Sequence, residues 1–154
     1  ARAIKDVNCF MIKPDSFATM DLALLDWARG QAKFYKMGAA SSFLIRGSHV
    51  RRIDQAALPI GIIPTLKLTH RSAPLALGDI IVMVSDGITE ADKEDDEARW
   101  LQEILRQIRT GRESAETIVP RRLARKILEE AQQRCGCREH DDLTVLVALV
   151  ESTR

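Results

Sequence analysis

Two aspartates stand where an apolar run meets a break, an arrangement that could hold a hard metal ion. The run Ile80-Ile81-Val82-Met83-Val84 ends in Ser85-Asp86-Gly87. Five consecutive apolar residues predict a fully buried strand, which would deliver the carboxylate of Asp86 to its end, within reach of a ligand. Gly87, lacking a Cβ, lets the backbone turn sharply and approach that ligand closely. A second junction, Asp141-Asp142-Leu143-Thr144, leads into the apolar stretch from Val145 to Val150. Two rigid strands, each presenting an aspartate at one end, suit Mg2+ or Mn2+, which take oxygen ligands, rather than zinc or copper. Paired ions about 3.5–4 Å apart hold phosphate oxygens and generate hydroxide for attack. Taken alone, Asp86 is equally a turn residue before glycine. Asp142 is as good a candidate as Asp141, and either could cap the turn.

Other reactive residue types carry less. Cys135-Gly136-Cys137 with His140 looks like a soft-metal cluster, but a structural zinc site needs four ligands and no second pair exists. Cys9, Cys135 and Cys137 therefore read as reduced cysteines, the last two in a loop. The acidic run Glu90, Asp92, Glu94, Asp95, Asp96 and Glu97 reads as a solvated loop whose acids favour a following helix N-terminus. Its alternative is a surface that rejects anions or contacts a regulator. Asp79 shapes the turn into its strand. His49 and His70 lack matching ligands, and Ser41 and Ser42 have no His and Asp arranged to activate them.

Composition narrows the class. The chain has 154 residues, 45% hydrophobic and 29% charged, which predicts one soluble globular domain or a large piece of one. With 23 Lys+Arg against 22 Asp+Glu, the net charge of +1 makes no case for nucleic acid, which needs a clustered basic face. No apolar run approaches the roughly 20 residues of a membrane span. The first six residues lack the charged-then-apolar order of a signal peptide. A cytoplasmic location is the expectation.

The elements that must position the aspartates follow from periodicity. Ile4, Val7, Cys9, Met11 and Ile12 predict a helix, entered in mid-course and ended by Pro14. Residues 20–27 and 31–37 flank Ala28-Arg29-Gly30 as a hairpin, with Ala32, Phe34 and Met37 inward and Lys33 and Lys36 outward. Residues 42–46 and 49–53 form the next hairpin, around Gly47-Ser48. Tight turns of this kind imply antiparallel sheet. Leu58-Pro59-Ile60-Gly61-Ile62 is a loop, and Leu66 to His70 another strand. Trp100, Leu101, Ile104, Leu105 and Ile108 form one helical stripe, stopped near Thr110-Gly111. Leu123, Ile127, Leu128 and Ala131 form a second, with Pro120 in its first turn. The final strand must rejoin the sheet, so the fold class is α+β.

In order along the chain, Leu77-Gly78-Asp79, Ser85-Asp86-Gly87-Ile88-Thr89-Glu90-Ala91 and Asp141-Asp142-Leu143-Thr144 resemble the bacterial branch of the PPM-type metal-dependent serine/threonine phosphatases. Thr19-Met20-Asp21-Leu22-Ala23, residues 32–39 and Leu58-Pro59-Ile60-Gly61-Ile62 resemble its sporulation (stage II) members. The similarity covers essentially the whole chain. It implies a sandwich of antiparallel β-sheets flanked by helices, with two Mn2+ or Mg2+ ions between the sheets. It also implies attack of metal-held water on phosphoserine without a phosphoenzyme. By position Asp86 matches the family's Ser-Asp-Gly metal ligand, and Asp141 the first residue of its late Asp-Asn motif. The implied partner is a phosphorylated anti-anti-sigma protein, whose dephosphorylation frees a sporulation sigma factor. A homodimer is a further expected partner, and membrane contact is expected only through regions outside this chain, at the cytoplasmic membrane face or division septum.

One departure matters. The family's early metal motif is an Asp-Gly followed by Met-Gly or His-Gly, yet Asp-Gly occurs here only at Asp86-Gly87. Residues 1–154 are therefore expected to be the C-terminal portion of a single PPM-type phosphatase domain, its N-terminal portion absent and its isolated activity low. The competing expectations are a non-catalytic interaction or regulatory module on the same scaffold, and a phosphatase regulating a stress response.

Overall fold

The computed structural model describes residues 2–12, 16–92, 94, 95, 98–110, 119–136 and 142–151, in two compact units. One comprises Ala1–Ala40 with Ile53–Leu75, the other Ser41–Arg52 with Ala76–Arg154.

In the first unit, helix α1 (Arg2–Met11) precedes the hairpin of β1 (Met20–Asp26) and β2 (Gln31–Met37). These strands pair antiparallel from Met20↔Met37 to Asp26↔Gln31. Asp26 braces the turn by accepting from the Arg29 N–H at 3.0 Å and from its guanidinium at 3.0 Å. The turn bond and the guanidinium both favour the charged form, so the Asp26 carboxyl titrates below its usual range.

β2 departs from simple alternation. Lys36 is fully buried rather than outward, because its cross-strand neighbour is Asp21. The ammonium donates to Asp21 Oδ2 at 2.6 Å. Burying a charge is unfavourable unless it is paired, and the register supplies the pair.

The third strand of this sheet is not the expected Leu66 to His70 but β5, Arg71–Pro74, on the other side of β2. The alternation at Leu66 and Leu68 records packing, not pairing. Leu66 is buried in the core formed by Ile4, Tyr35, Met37 and Ile60, and Leu68 packs against it. The Thr69 carbonyl is bonded by the Gln55 side chain at 3.0 Å, and His70 lies against the Tyr35 ring at 5.3 Å. Proline sits at a strand end, where a missing N–H is tolerated.

Buried Asn8 ties α1 to the loop 58–64. Its Oδ1 accepts from the Gly61 N–H at 2.9 Å and its Nδ2 donates to the Ile63 carbonyl at 3.0 Å. Gly61 has φ of +92°, and a Cβ there would lie 2.7 Å from the Ser16 carbonyl oxygen.

The second unit is a four-stranded antiparallel sheet in the order β4 (His49–Ile53), β3 (Ser42–Arg46), β6 (Ile80–Val84), β7 (Val145–Leu149). Its helices are the one-turn α2 (Asp86–Thr89), α3 (Arg99–Thr110) and α4 (Pro120–Cys135). Phe43, Ile45, Ile80, Val82 and Val84 of the sheet share one core with Leu101 and Leu105 of α3 and Leu123, Ile127 and Ala131 of α4. Each of these side chains other than Ala131 contributes about 1.5–3 kcal/mol on burial. Both helical stripes are where periodicity put them, with the side chain of Ile108 and all of Gly111 outside the described residues.

Cys135 is the last residue of α4 and buried in that core, not in a loop. Cys137, His140 and Pro14 lie outside the described residues. The acidic run serves α3: Asp95 Oδ2 accepts from the Trp100 N–H at 2.9 Å. Arg134 of α4 pairs with Asp92 at 3.1 Å and lies over the Trp100 ring at 5.2 Å. Among the described residues no helix is long and apolar enough to cross a membrane.

Two outcomes follow for unfolding in urea. Asp21→Ala leaves the Lys36 ammonium buried without its partner carboxylate and should cost about 3–5 kcal/mol. The double variant Asp21→Leu/Lys36→Met should lose much less. Gly61→Ala should cost about 1–3 kcal/mol, since it forces a side chain into a positive-φ position facing a carbonyl.

Candidate metal centre

β6 is the support. It lies between β3 and β7 and pairs with β7 from Ile80↔Leu149 to Val84↔Val145. Ile80, Ile81, Val82 and Val84 are all buried. The strand ends at Ser85, and the chain enters α2 with Asp86 as its first residue. An acid there is favoured by the partial positive charge of a helix N-terminus.

The Asp86 side chain is exposed. Its Oδ1 accepts from the Gly87 N–H at 3.0 Å, and its carbonyl accepts from the Glu90 N–H at 2.8 Å. Gly87 does not make the sharp turn its type suggested. It is a buried residue inside the helical turn and is not among the glycines of positive φ. The change of direction comes instead from extended Ser85, with φ −75° and ψ 164°, passing straight into α2.

Ser85 brings the second aspartate segment alongside. Its N–H donates to the Thr144 carbonyl at 3.1 Å. Its hydroxyl donates to the Asp142 carbonyl at 2.8 Å and accepts from the Thr144 N–H at 2.9 Å. Ser85, the residue before Asp86, and the segment beginning at Asp142 are therefore joined at one end of the β6–β7 pair. Asp141 lies outside the described residues. Asp142, described and exposed, is committed through its main chain to Ser85.

Asp79 occupies the other end of β6, about 16 Å of strand away. It is buried and accepts from the Ala76 N–H at 2.7 Å and from Arg46 Nε and Nη2 at 2.8 and 2.6 Å. This hydrogen bonding raises the Arg46 pKa above its usual value. Beside it, the Gly78 N–H donates to the Val150 carbonyl at 2.9 Å and the Val150 N–H to the Asp79 carbonyl at 2.8 Å. Asp79 is thus a structural acid, and the sequence reading of it as a turn residue missed its partner Arg46. Ser41 and Ser42 are buried, and Ser41 Oγ accepts from Arg52 Nε at 2.9 Å.

The residues present fit a hard cation in kind. An exposed carboxylate on a rigid support is an oxygen donor of the sort Mg2+ and Mn2+ take. Among the described residues there is no cluster of three or more His, Cys, Asp or Glu placed to hold a metal. The missed contributor is Ser85. The only signal for it is a hydroxyl standing directly between the apolar run and Asp86.

The fold is that of the PP2C phosphatase domains. The solved PP2C phosphatase domain, with part of the regulatory domain, of SpoIIE from Bacillus subtilis superposes with a TM-score of 0.81 at 30% identity, over 96% of this chain and 43% of that one. A manganese-presoaked structure of the same phosphatase domain gives 0.68 at 27% identity, over 88% of this chain and 58% of that one. The family model of stage II sporulation protein E matches residues 1–151, and the chain belongs to that family. Stage II sporulation protein E of Bacillus subtilis (strain 168) is 29% identical over 153 residues. The chain spans 18% of that relative's length.

Assigning Asp79 to structure has a checkable consequence. Arg46→Met leaves the buried carboxylate short of its cation and should cost about 1–3 kcal/mol in thermal unfolding. In the full-length protein it should leave Mn2+ affinity by calorimetry unchanged, because Arg46, the last residue of β3, bonds Asp79 at the end of β6 away from Asp86.

Proposed function

We propose that the chain is part of a metal-dependent protein serine phosphatase. The observation that carries this reading is the bonding of Ser85, the residue before exposed Asp86, to Asp142 and Thr144 at one end of the buried β6–β7 pair, in a chain of this family. Asp86 and Asp141 are the proposed ligands. A bound pair of Mn2+ or Mg2+ ions would supply positive charge for phosphate oxygens and lower the pKa of water. The chain's own part is positional: β6 holds the Asp86 carboxylate at its end, and Ser85 beside it bonds to Asp142 and Thr144 of the segment leading into β7.

The proposed substrate is a phosphorylated anti-anti-sigma protein, dephosphorylated to activate a sporulation sigma factor. The stage II family match favours this over a stress-response circuit. The proposed setting is the cytoplasmic face of the membrane or division septum, reached through regions outside these residues. A homodimer belongs to the same proposal. Residues 1–154 are proposed to be the C-terminal portion of the phosphatase domain. The chain covers only 58% of the manganese-presoaked phosphatase-domain chain, and Asp-Gly occurs once.

In the full-length protein, Asp86→Asn should lower Mn2+-dependent release of phosphate from the phosphoprotein more than about 100-fold, beyond the range typical of outer-shell changes. Near-normal turnover would remove Asp86 from the ligand set. Purified residues 1–154 should show little or no turnover with added Mn2+. Robust turnover would show that an early Asp-Gly is dispensable.

A further inference from the structure

We infer that Ser85 is a positioning residue for the metal centre: its side chain sets where the segment beginning at Asp142 stands relative to Asp86. This rests on the phosphatase reading above and goes beyond it by making metal affinity depend on the Ser85 side chain.

The geometry is specific. A serine at the N-terminal boundary of a helix ordinarily turns its hydroxyl onto the N–H groups of the first turn. Ser85 occupies that boundary and makes no such bond. Its hydroxyl is directed across the sheet, where it donates to the Asp142 carbonyl at 2.8 Å and accepts from the Thr144 N–H at 2.9 Å. A serine hydroxyl has one hydrogen to give, and here it is given to Asp142. Ser85 therefore has no proton free for a ligand or for nucleophilic work while this arrangement holds.

The ladder alone does not reach the acid. Regular pairing of β6 with β7 ends at Val84↔Val145. One main-chain bond, from the Ser85 N–H to the Thr144 carbonyl, continues it. Beyond that, Asp142 is joined to β6 through the Ser85 hydroxyl. The residue next to Asp86 in the chain thus binds the residue next to Asp141. Both are exposed hydrogen bonds, which water can replace at small cost in stability. Ligand placement is less forgiving, because metal–ligand distances are held within about 0.2 Å. Groups that orient metal ligands in this way typically change metal affinity or activity 10- to 100-fold when removed.

The test uses the full-length protein with Ser85→Ala, Ser85→Thr and Asp86→Asn. It measures Mn2+ affinity by calorimetry on the metal alone, thermal unfolding without metal, and kcat and KM for the phosphoprotein. Ser85→Ala is expected to weaken Mn2+ about 10- to 100-fold, with KM little changed and the apo unfolding temperature close to the parent's. Ser85→Thr, which keeps a hydroxyl, is expected to recover most of the affinity. Affinity within twofold of the parent in Ser85→Ala, alongside loss in Asp86→Asn, would overturn this inference alone. Unaltered affinity in Asp86→Asn would overturn the metal reading and this inference with it. Failure of Ser85→Ala to fold, or equal loss in Ser85→Thr and Ser85→Ala, would mark Ser85 as a structural residue and also overturn it.

Discussion

The register of β6 against β7 is the constraint on which the second unit depends. β6 is an inner strand, so its main-chain groups are bonded to neighbours on both sides, and its apolar side chains are withdrawn from water. A slip of one residue would turn every side chain of β7 to the opposite face. It would also break the closures at the two ends, Ser85 with Thr144 and Asp79 with Val150.

The first unit is specified differently. Its interior contains polar groups whose partners are chosen by geometry, Lys36 with Asp21 and Asn8 with Gly61 and Ile63. Groups of this kind add little net stability over apolar replacements. Each is satisfied only when α1, the β1–β2 hairpin or the 58–64 loop stands in one arrangement. The apolar core around Ile60 and Leu66 supplies attraction without that selectivity.

The two aspartates of β6 show why residue type does not settle role. Asp79 and Asp86 bracket one strand. One is buried against a guanidinium and two strand ends, and the other is exposed at a helix start. Only the exposed one can exchange water for a ligand.

Much of the fold was legible in the residues themselves. Helix α1, the hairpin about Gly30, the buried run ending at Asp86 and the stripes of α3 and α4 all rest on local periodicity and turn chemistry, which neighbours in sequence determine. The sequence also placed Asp86 at the end of a buried strand, by ending an apolar run in a carboxylate. It could not reveal that Lys36 is buried, that Leu66 to His70 packs without pairing, that Gly87 is helical or that Ser85 reaches across to Asp142. Each of these turns on which distant segment lies alongside: Asp21 for Lys36, Gln55 for Thr69, Asp142 for Ser85. The physical reason is that a hydrogen bond or ion pair between strands far apart in sequence leaves no periodic trace. Tertiary structure alone decided those pairings, and with them how Asp86 is held.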